Sequence, residues 1–162
     1  MKLAIMSDAH DNWANLEKAI TIAQERGCGA VLFAGDLIAP PGIEVLKKFA
    51  GPVKVVWGNN EGEKLGIVAA CQGSAVELCG DVFEGELGGA RIFMNHYPRI
   101  VELAATAGEF DLCIFGHTHV YAETKVGECV LLNPGEIQGY RTGQAGFAIW
   151  DTEQKSGERV KV

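Results

Sequence analysis

The sequence has no long uninterrupted apolar run, and a membrane-crossing helix needs about 20 consecutive apolar residues, so such a helix is excluded. Its first residues, Met1 to Asp8, reach an acidic side chain without the apolar core of an export signal, and the expectation is a cytoplasmic protein with no membrane partner. Positive charge is scarce. Lys and Arg number 14 against 21 Asp and Glu, for a formal net charge of −7. A broad nucleic-acid surface works by clustered cations that release counterions, and this composition excludes it. Any anionic ligand must therefore find a local source of positive charge.

Cysteine is sparse and unpaired. Cys28, Cys71, Cys79, Cys113 and Cys129 are odd in number and far apart, which excludes a zinc finger built on close Cys pairs and suits reduced thiols used as small hydrophobes. No polar low-complexity segment, internal repeat or linker interrupts the chain, and 48% of its residues are hydrophobic. The length of 162 residues matches one domain over residues 1–162, large enough for a core without disulfides.

Short apolar runs alternate with helical patterns in the first half. Strands are predicted over Lys2–Met6, Ala30–Ala34 and Val53–Trp57. A helix capped by Asn12 follows the first and ends at Gly27, with Leu16, Ala19, Ile20 and Ala23 on one face. Further helices are predicted over Ile43–Ala50, Leu65–Cys71 and Arg99–Ala107. The second half reads as strand-rich: Ala75–Leu78, Val82–Leu87, Arg91–Met94, Leu112–Phe115, Tyr121–Val126, Cys129–Leu132, Gly146–Trp150 and Arg159–Val162. The class is α/β.

The polar residues that could bind metal collect where strands end. Asp8 and His10 follow the first strand, Asp36 the second and Asn59 the third, while His96 and then His117 and His119 follow two later ones. All four histidines of the chain are in this set. Ligands of open α/β sheets bind beyond the carboxyl ends of strands, so these residues should converge. Mixed imidazole and carboxylate ligation suits borderline divalent metals. Seven donors exceed what one ion needs and suit two, with a carboxylate as the natural bridge, and such a pair clamps the attacking and leaving oxygens of a displacement at phosphorus. Two divalent ions against Asp8 and Asp36, with a bridging hydroxide between them, would leave a positive hole in an acidic protein. Gly35, Gly58 and Gly116 beside these residues permit sharp turns.

Asp8-x-His10, Gly35-Asp36, Gly58-Asn59-x-Glu61, His96 and Gly116-His117-x-His119, with the later Asn133-Pro134-Gly135, resemble the ordered signature of the calcineurin-like metallophosphoesterases, in particular the small YfcE-like phosphodiesterases of prokaryotes. The resemblance implies a four-layer α/β/β/α sandwich, two mixed β-sheets flanked by helices. It also implies that Asp8, His10 and His119 bind a first ion, Asp36 bridges, and Asn59, His96 and His117 bind a second. The cofactors implied are two divalent metal ions, with Mn²⁺ first and Ni²⁺, Fe²⁺ or Zn²⁺ as alternatives. The activity implied is phosphodiester hydrolysis of a small phosphate ester through attack by a metal-bridging hydroxide.

Three positions depart from the family pattern. Asn60 stands where many phosphomonoesterases of the superfamily have His, and an amide cannot protonate an alkoxide, so diesters, cyclic phosphates or activated aryl esters are expected over simple alkyl monoesters. Tyr97 follows His96 where Gly is common, and Glu136 replaces a usual Ser. Arg141 lies near an Arg of the closing motif and could meet a phosphate oxygen. Asn60, His96 and Arg141 are thus the candidate catalytic residues. The alternatives are a phosphomonoesterase or nucleotidase, and a non-catalytic scaffold of the same fold such as the retromer subunit that resembles these enzymes. Leu37, Ile38, Pro40 and Pro41 could line a homo-oligomer contact or a substrate rim.

Overall fold

The computed structural model describes residues 1–162. In chain order the elements are β1 (Lys2–Met6), α1 (Trp13–Glu25), β2 (Cys28–Phe33), α2 (Pro41–Leu46), β3 (Val53–Val55), α3 (Lys64–Cys71), β4 (Val76–Leu78), β5 (Val82–Leu87), β6 (Ala90–Asn95), α4 (Pro98–Thr106), β7 (Leu112–Ile114), β8 (Ala122–Val126), β9 (Cys129–Asn133), β10 (Gly146–Asp151) and β11 (Ser156–Lys161).

Two mixed sheets form, with strand orders β11-β10-β1-β2-β3-β4 and β5-β6-β7-β9-β8. Their central strands are parallel, β1 to β4 in the first and β6, β7 and β9 in the second, and antiparallel strands close the flanks. Strand alternation distributes β1 between two cores. Leu3 and Ile5 point between the sheets and meet Ile92, Met94, Leu112, Ile114 and Trp150, while Ala4 and Met6 point outward to Leu16, Ala19 and Ile20 of α1. That two-sided burial explains why the parallel strands read as continuous apolar runs instead of alternating ones. A third cluster joins Val101 and Ala105 of α4 to Cys113, Cys129 and Leu131 on the outer face of the second sheet. The layers are therefore helices, sheet, sheet, helix: the four-layer α/β/β/α sandwich expected from the sequence.

Asn12 caps α1, its Oδ1 accepting the Asn15 N–H at 3.2 Å. Two predicted elements shift. The helix expected over Ile43–Ala50 runs instead over Pro41–Leu46, because Pro41 starts it with a preset φ and Lys47 to Ala50 turn toward β3. The last strand begins at Ser156, three residues before the predicted start, because hairpin pairing of Asp151 with Ser156 extends it through polar edge positions. Leu37 is 1% exposed in the helix-side core, so it lines neither a rim nor an oligomer contact. All five cysteines are free, Cys113 and Cys129 being buried and the others half-buried. No helix is long and apolar enough to cross a membrane.

Candidate metal centre

The carboxyl ends of β1, β2, β3, β6, β7 and β9 face one region, and the loops that leave them carry all seven candidate ligands together with Glu136. The loops are strained. Asp8, His10, Asp36, His117 and His119 all have positive φ, between 42° and 67°, as do only three other non-glycine residues in the chain. Each such residue costs on the order of 1–3 kcal/mol and persists only where its surroundings over-determine it.

Those surroundings are hydrogen bonds between loops. Glu61 ties two of them, its Oε1 accepting from the Asp36 and Leu37 N–H groups at 2.7 and 3.2 Å and its Oε2 from the Gly58 N–H at 2.8 Å. Asp36 Oδ1 accepts from the N–H groups of Asn59 and Asn60, both at 2.8 Å. Asp8 Oδ2 accepts the His117 N–H at 3.1 Å, and Asn133 Nδ2 donates to the Gly116 carbonyl at 2.8 Å. Packing is close enough to demand glycine: a Cβ on Gly58 would lie 2.2 Å from Asp36 Oδ1, and one on Gly116 would lie 2.0 Å from Ser7 Oγ.

Within this frame the side chains converge. His10 Nε2 lies 3.7 Å from Asp8 Oδ1 and 3.4 Å from Asp36 Oδ2. His119 Nε2 lies 3.4 Å from Asp8 Oδ1, and His96 Nε2 lies 3.6 Å from Asp36 Oδ2. Asn59 Oδ1 is 2.9 Å from His96 Nε2 and 2.8 Å from His117 Nδ1. Asp36 Oδ2 thus sits between His10 on one side and His96 on the other. Two groups have the closeness that a cation needs, Asp8 with His10 and His119, and Asp8 with Asp36 and His96.

The protonation pattern fits divalent metal ions. His96 Nδ1 is 2.7 Å from the Ala34 carbonyl, which only accepts, so the proton is on Nδ1 and the lone pair of Nε2 faces the Asn59 oxygen. His119 Nδ1 likewise donates to Glu136 Oε2 at 2.7 Å, leaving its Nε2 lone pair toward Asp8. Lone pairs facing lone pairs repel unless a cation lies between them. Asp8 Oδ1 and His10 Nε2 are buried with no hydrogen-bond partner at all, and Asp8 and Asp36 are carboxylates at most 1% exposed. Buried charge of this kind is paired or coordinates metal. Contact with Asp8 raises the His10 pKa above its ordinary value against the opposing effect of burial, with Asp36 and Glu136 adding to the rise.

The other candidates divide. Asn60 joins the cluster, its Nδ2 donating to Asp36 Oδ2 at 2.7 Å. Arg141 does not: its side chain is exposed and makes no hydrogen bond, although its backbone N–H donates to Glu136 Oε1 at 3.1 Å. Tyr97 forms a wall, its ring centroid 5.3 Å from those of both His96 and His117.

Two contributors had no role in the sequence reading. Glu61 was visible only as part of a motif, and Glu136 only as a departure from one. Glu136 is fully buried and collects the His119 ring N–H, the Gln138 amide, the Arg141 and Thr142 N–H groups and the Thr142 hydroxyl. Burial pushes its pKa up, but the Thr142, His119 and Gln138 donors outweigh burial and hold it below the ordinary carboxylate value.

A four-layer sandwich with histidines, carboxylates and an amide gathered at its strand ends defines a class, and the family comparison identifies it. Residues 1–155 match the calcineurin-like phosphoesterase superfamily domain, and the chain belongs to that superfamily as a phosphoric ester hydrolase. Among individual relatives, phosphodiesterase MJ0936 of Methanocaldococcus jannaschii is 32% identical over 163 aligned residues, covering 99% of this chain and 98% of its own. A solved structure of a novel archaeal phosphodiesterase superposes with a TM-score of 0.93 at 30% identity, over 100% of both chains. YfcE, a phosphoesterase from E. coli, shares the fold with a TM-score of 0.73 at 20% identity, over 99% of this chain and 98% of its own.

Proposed function

We propose that the protein is a dinuclear metal-dependent phosphodiesterase acting on a small phosphate ester. The observation that carries the reading is the pair of unpartnered buried atoms, Asp8 Oδ1 and His10 Nε2, within a cluster of imidazoles whose hydrogen bonds aim lone pairs inward. Asp8, His10 and His119 would hold one ion, Asn59, His96 and His117 a second, and Asp36 would bridge. Mn²⁺ is the first choice, and Ni²⁺, Fe²⁺ and Zn²⁺ suit the same donors. Bound there, the cations would supply positive charge to phosphoryl oxygens and lower the pKa of a water enough to make hydroxide available at neutral pH.

The protein's own groups do the rest. Glu136 and the Ala34 carbonyl hold the tautomers of His119 and His96 that keep Nε2 free. Glu61 keeps the Asp36 and Asn59 loops in register. Asn60 offers an amide N–H that can donate to a phosphoryl oxygen but cannot deliver a proton to an alkoxide. That favours diesters and aryl esters, whose leaving groups depart with little acid assistance. Similarity to phosphodiesterase MJ0936 supports the same reading.

Asp36→Asn tests it. The variant should lose turnover of bis(4-nitrophenyl) phosphate in Mn²⁺ while its circular dichroism shows the fold of the parent, even though loss of the Asn60 Nδ2 contact lowers the urea midpoint. Undiminished turnover would reject the assignment, and a higher kcat/KM for 4-nitrophenyl phosphate than for the diester would make the protein a monoesterase.

A further inference from the structure

Beside His119 lies a cavity of about 310 Å³, lined also by Val120, Tyr121, Thr142, Gln144 and Arg159. Arg159 comes from β11, an edge strand where a solvated arginine is the ordinary expectation. Its surroundings are different. Nη1 donates to Gln144 Oε1 at 2.7 Å, Nη2 donates to the Gln144 carbonyl at 3.0 Å, and the guanidinium carbon sits 5.6 Å from the centre of the Tyr121 ring. Its Nε is shut off from solvent without a hydrogen-bond partner. The guanidinium is therefore held on two sides and cannot swing freely into water.

It also has no counter-ion. Six of the chain's fourteen Lys and Arg pair with an Asp or Glu and Arg159 is among the eight that do not; what sets it apart is that its guanidinium is fixed in place. Glu123 is engaged elsewhere, by the Tyr121 hydroxyl at 3.0 Å and the Gly157 N–H at 3.1 Å. Glu136 is saturated by its own donors, Thr142 among them. In a protein of net charge −7, a fixed guanidinium with no carboxylate in direct contact, on the wall that His119 shares, has the features of an anion receptor. Nη1 and Nη2 each spend one N–H on Gln144 and keep a second that can donate to a phosphate or carboxylate oxygen, and Tyr121 and Val120 offer apolar surface for whatever carries that group.

We propose that this cavity receives one arm of the substrate and that Arg159 binds a second anionic group, a phosphate or carboxylate, carried on that arm. The proposal rests on the phosphodiesterase reading for the identity of the bond that is cut. It adds the class of substrate, a diester with an additional negative charge beyond the scissile phosphate. Arg159 recognises that charge and takes no part in the chemistry.

Arg159→Met retains an apolar stem over Tyr121 and removes the fork, and Arg159→Lys keeps the charge. With Mn²⁺-loaded protein, kcat/KM is compared for bis(4-nitrophenyl) phosphate and for 4-nitrophenyl 4-carboxyphenyl phosphate. In the Met variant the carboxylated diester should lose about tenfold, through KM, while the uncharged diester changes by no more than about twofold and the Lys variant falls between. An equal loss on both diesters, or a carboxylate preference that survives in Arg159→Met, overturns the subsite.

Calorimetric titration with 4-carboxyphenylphosphonate and phenylphosphonate, neither of which has an ester to cleave, separates this proposal from the one beneath it. If neither diester is turned over but Arg159→Met weakens the carboxylated phosphonate alone, the subsite stands and the hydrolase reading falls. If the variant and the parent bind the two phosphonates alike, the subsite is wrong whatever the turnover.

Discussion

Glu136→Gln changes one carboxylate oxygen into an NH₂ group with almost no change in volume, at a residue that is fully buried. Oε1 accepts from three donors and Oε2 from two, so the new amide settles where it opposes fewer, at the His119 and Gln138 side. Donor then faces donor across 2.7 Å, and the His119 Nδ1–H contact is lost. A hydrogen bond to a charged group contributes about 1.5–3 kcal/mol and the neutral one that a tautomer change restores about 0.5–1.5 kcal/mol, so the folded state should weaken by about 1 kcal/mol. The more specific consequence is tautomeric. His119 Nδ1 becomes the acceptor, its proton moves to Nε2, and the ring atom facing Asp8 Oδ1 at 3.4 Å no longer presents a lone pair. Loss of such an orienting partner costs about 10- to 100-fold in metal affinity. Calorimetric titration with Mn²⁺ near neutral pH, paired with urea unfolding, reads both effects. A variant that is destabilised but binds Mn²⁺ as tightly as the parent would refute the argument that Glu136 sets the His119 tautomer.

Gly58→Ala should be more damaging than an ordinary loop substitution, because its Cβ would meet Asp36 Oδ1 at 2.2 Å and the Asp36 nitrogen at 2.4 Å. Overpacking of this kind costs about 1–3 kcal/mol, and the backbone nitrogen cannot rotate away, so thermal unfolding should come earlier and Mn²⁺ binding should weaken together. Asp111 gives a pH test remote from the site: burial pushes its pKa up, but the Arg91 N–H and the Lys155 and Arg91 side chains outweigh burial and lower it from 3.8 to about 2. A depressed carboxylate stabilises the fold above its unfolded pKa and loses that contribution as pH falls through the folded one. With Arg91 and Lys155 more than half exposed and screened, the contribution is about 1 kcal/mol. The urea midpoint of Asp111→Asn should therefore trail the parent near neutral pH and converge with it as pH approaches 2; a gap independent of pH would exclude the charge as its cause.

Much of the architecture was legible because a strand buried on both faces writes itself as a continuous apolar run and a helix on one face writes a 3.6-residue period. Lys2–Met6 and the Leu16, Ala19, Ile20, Ala23 stripe appear where they were expected, as does the cap at Asn12. The ends of α2 and β11 were not legible, since Pro41 and the Asp151–Ser156 pairing decide them through local geometry and a distant partner. Asp8, Asp36, Asn59 and the four histidines were marked by chemical type and by position after strands.

The sequence by itself determined which elements form and which side chains stand at their ends, because periodicity and residue chemistry are local properties of the chain. Only the tertiary structure decided that Glu61 ties two loops, that Glu136 holds His119, and that Arg159 keeps its charge unpaired beside the same histidine. Residues 17 to 40 positions apart meet there through burial and hydrogen-bond geometry, and neither of those is written in the neighbours of any one residue.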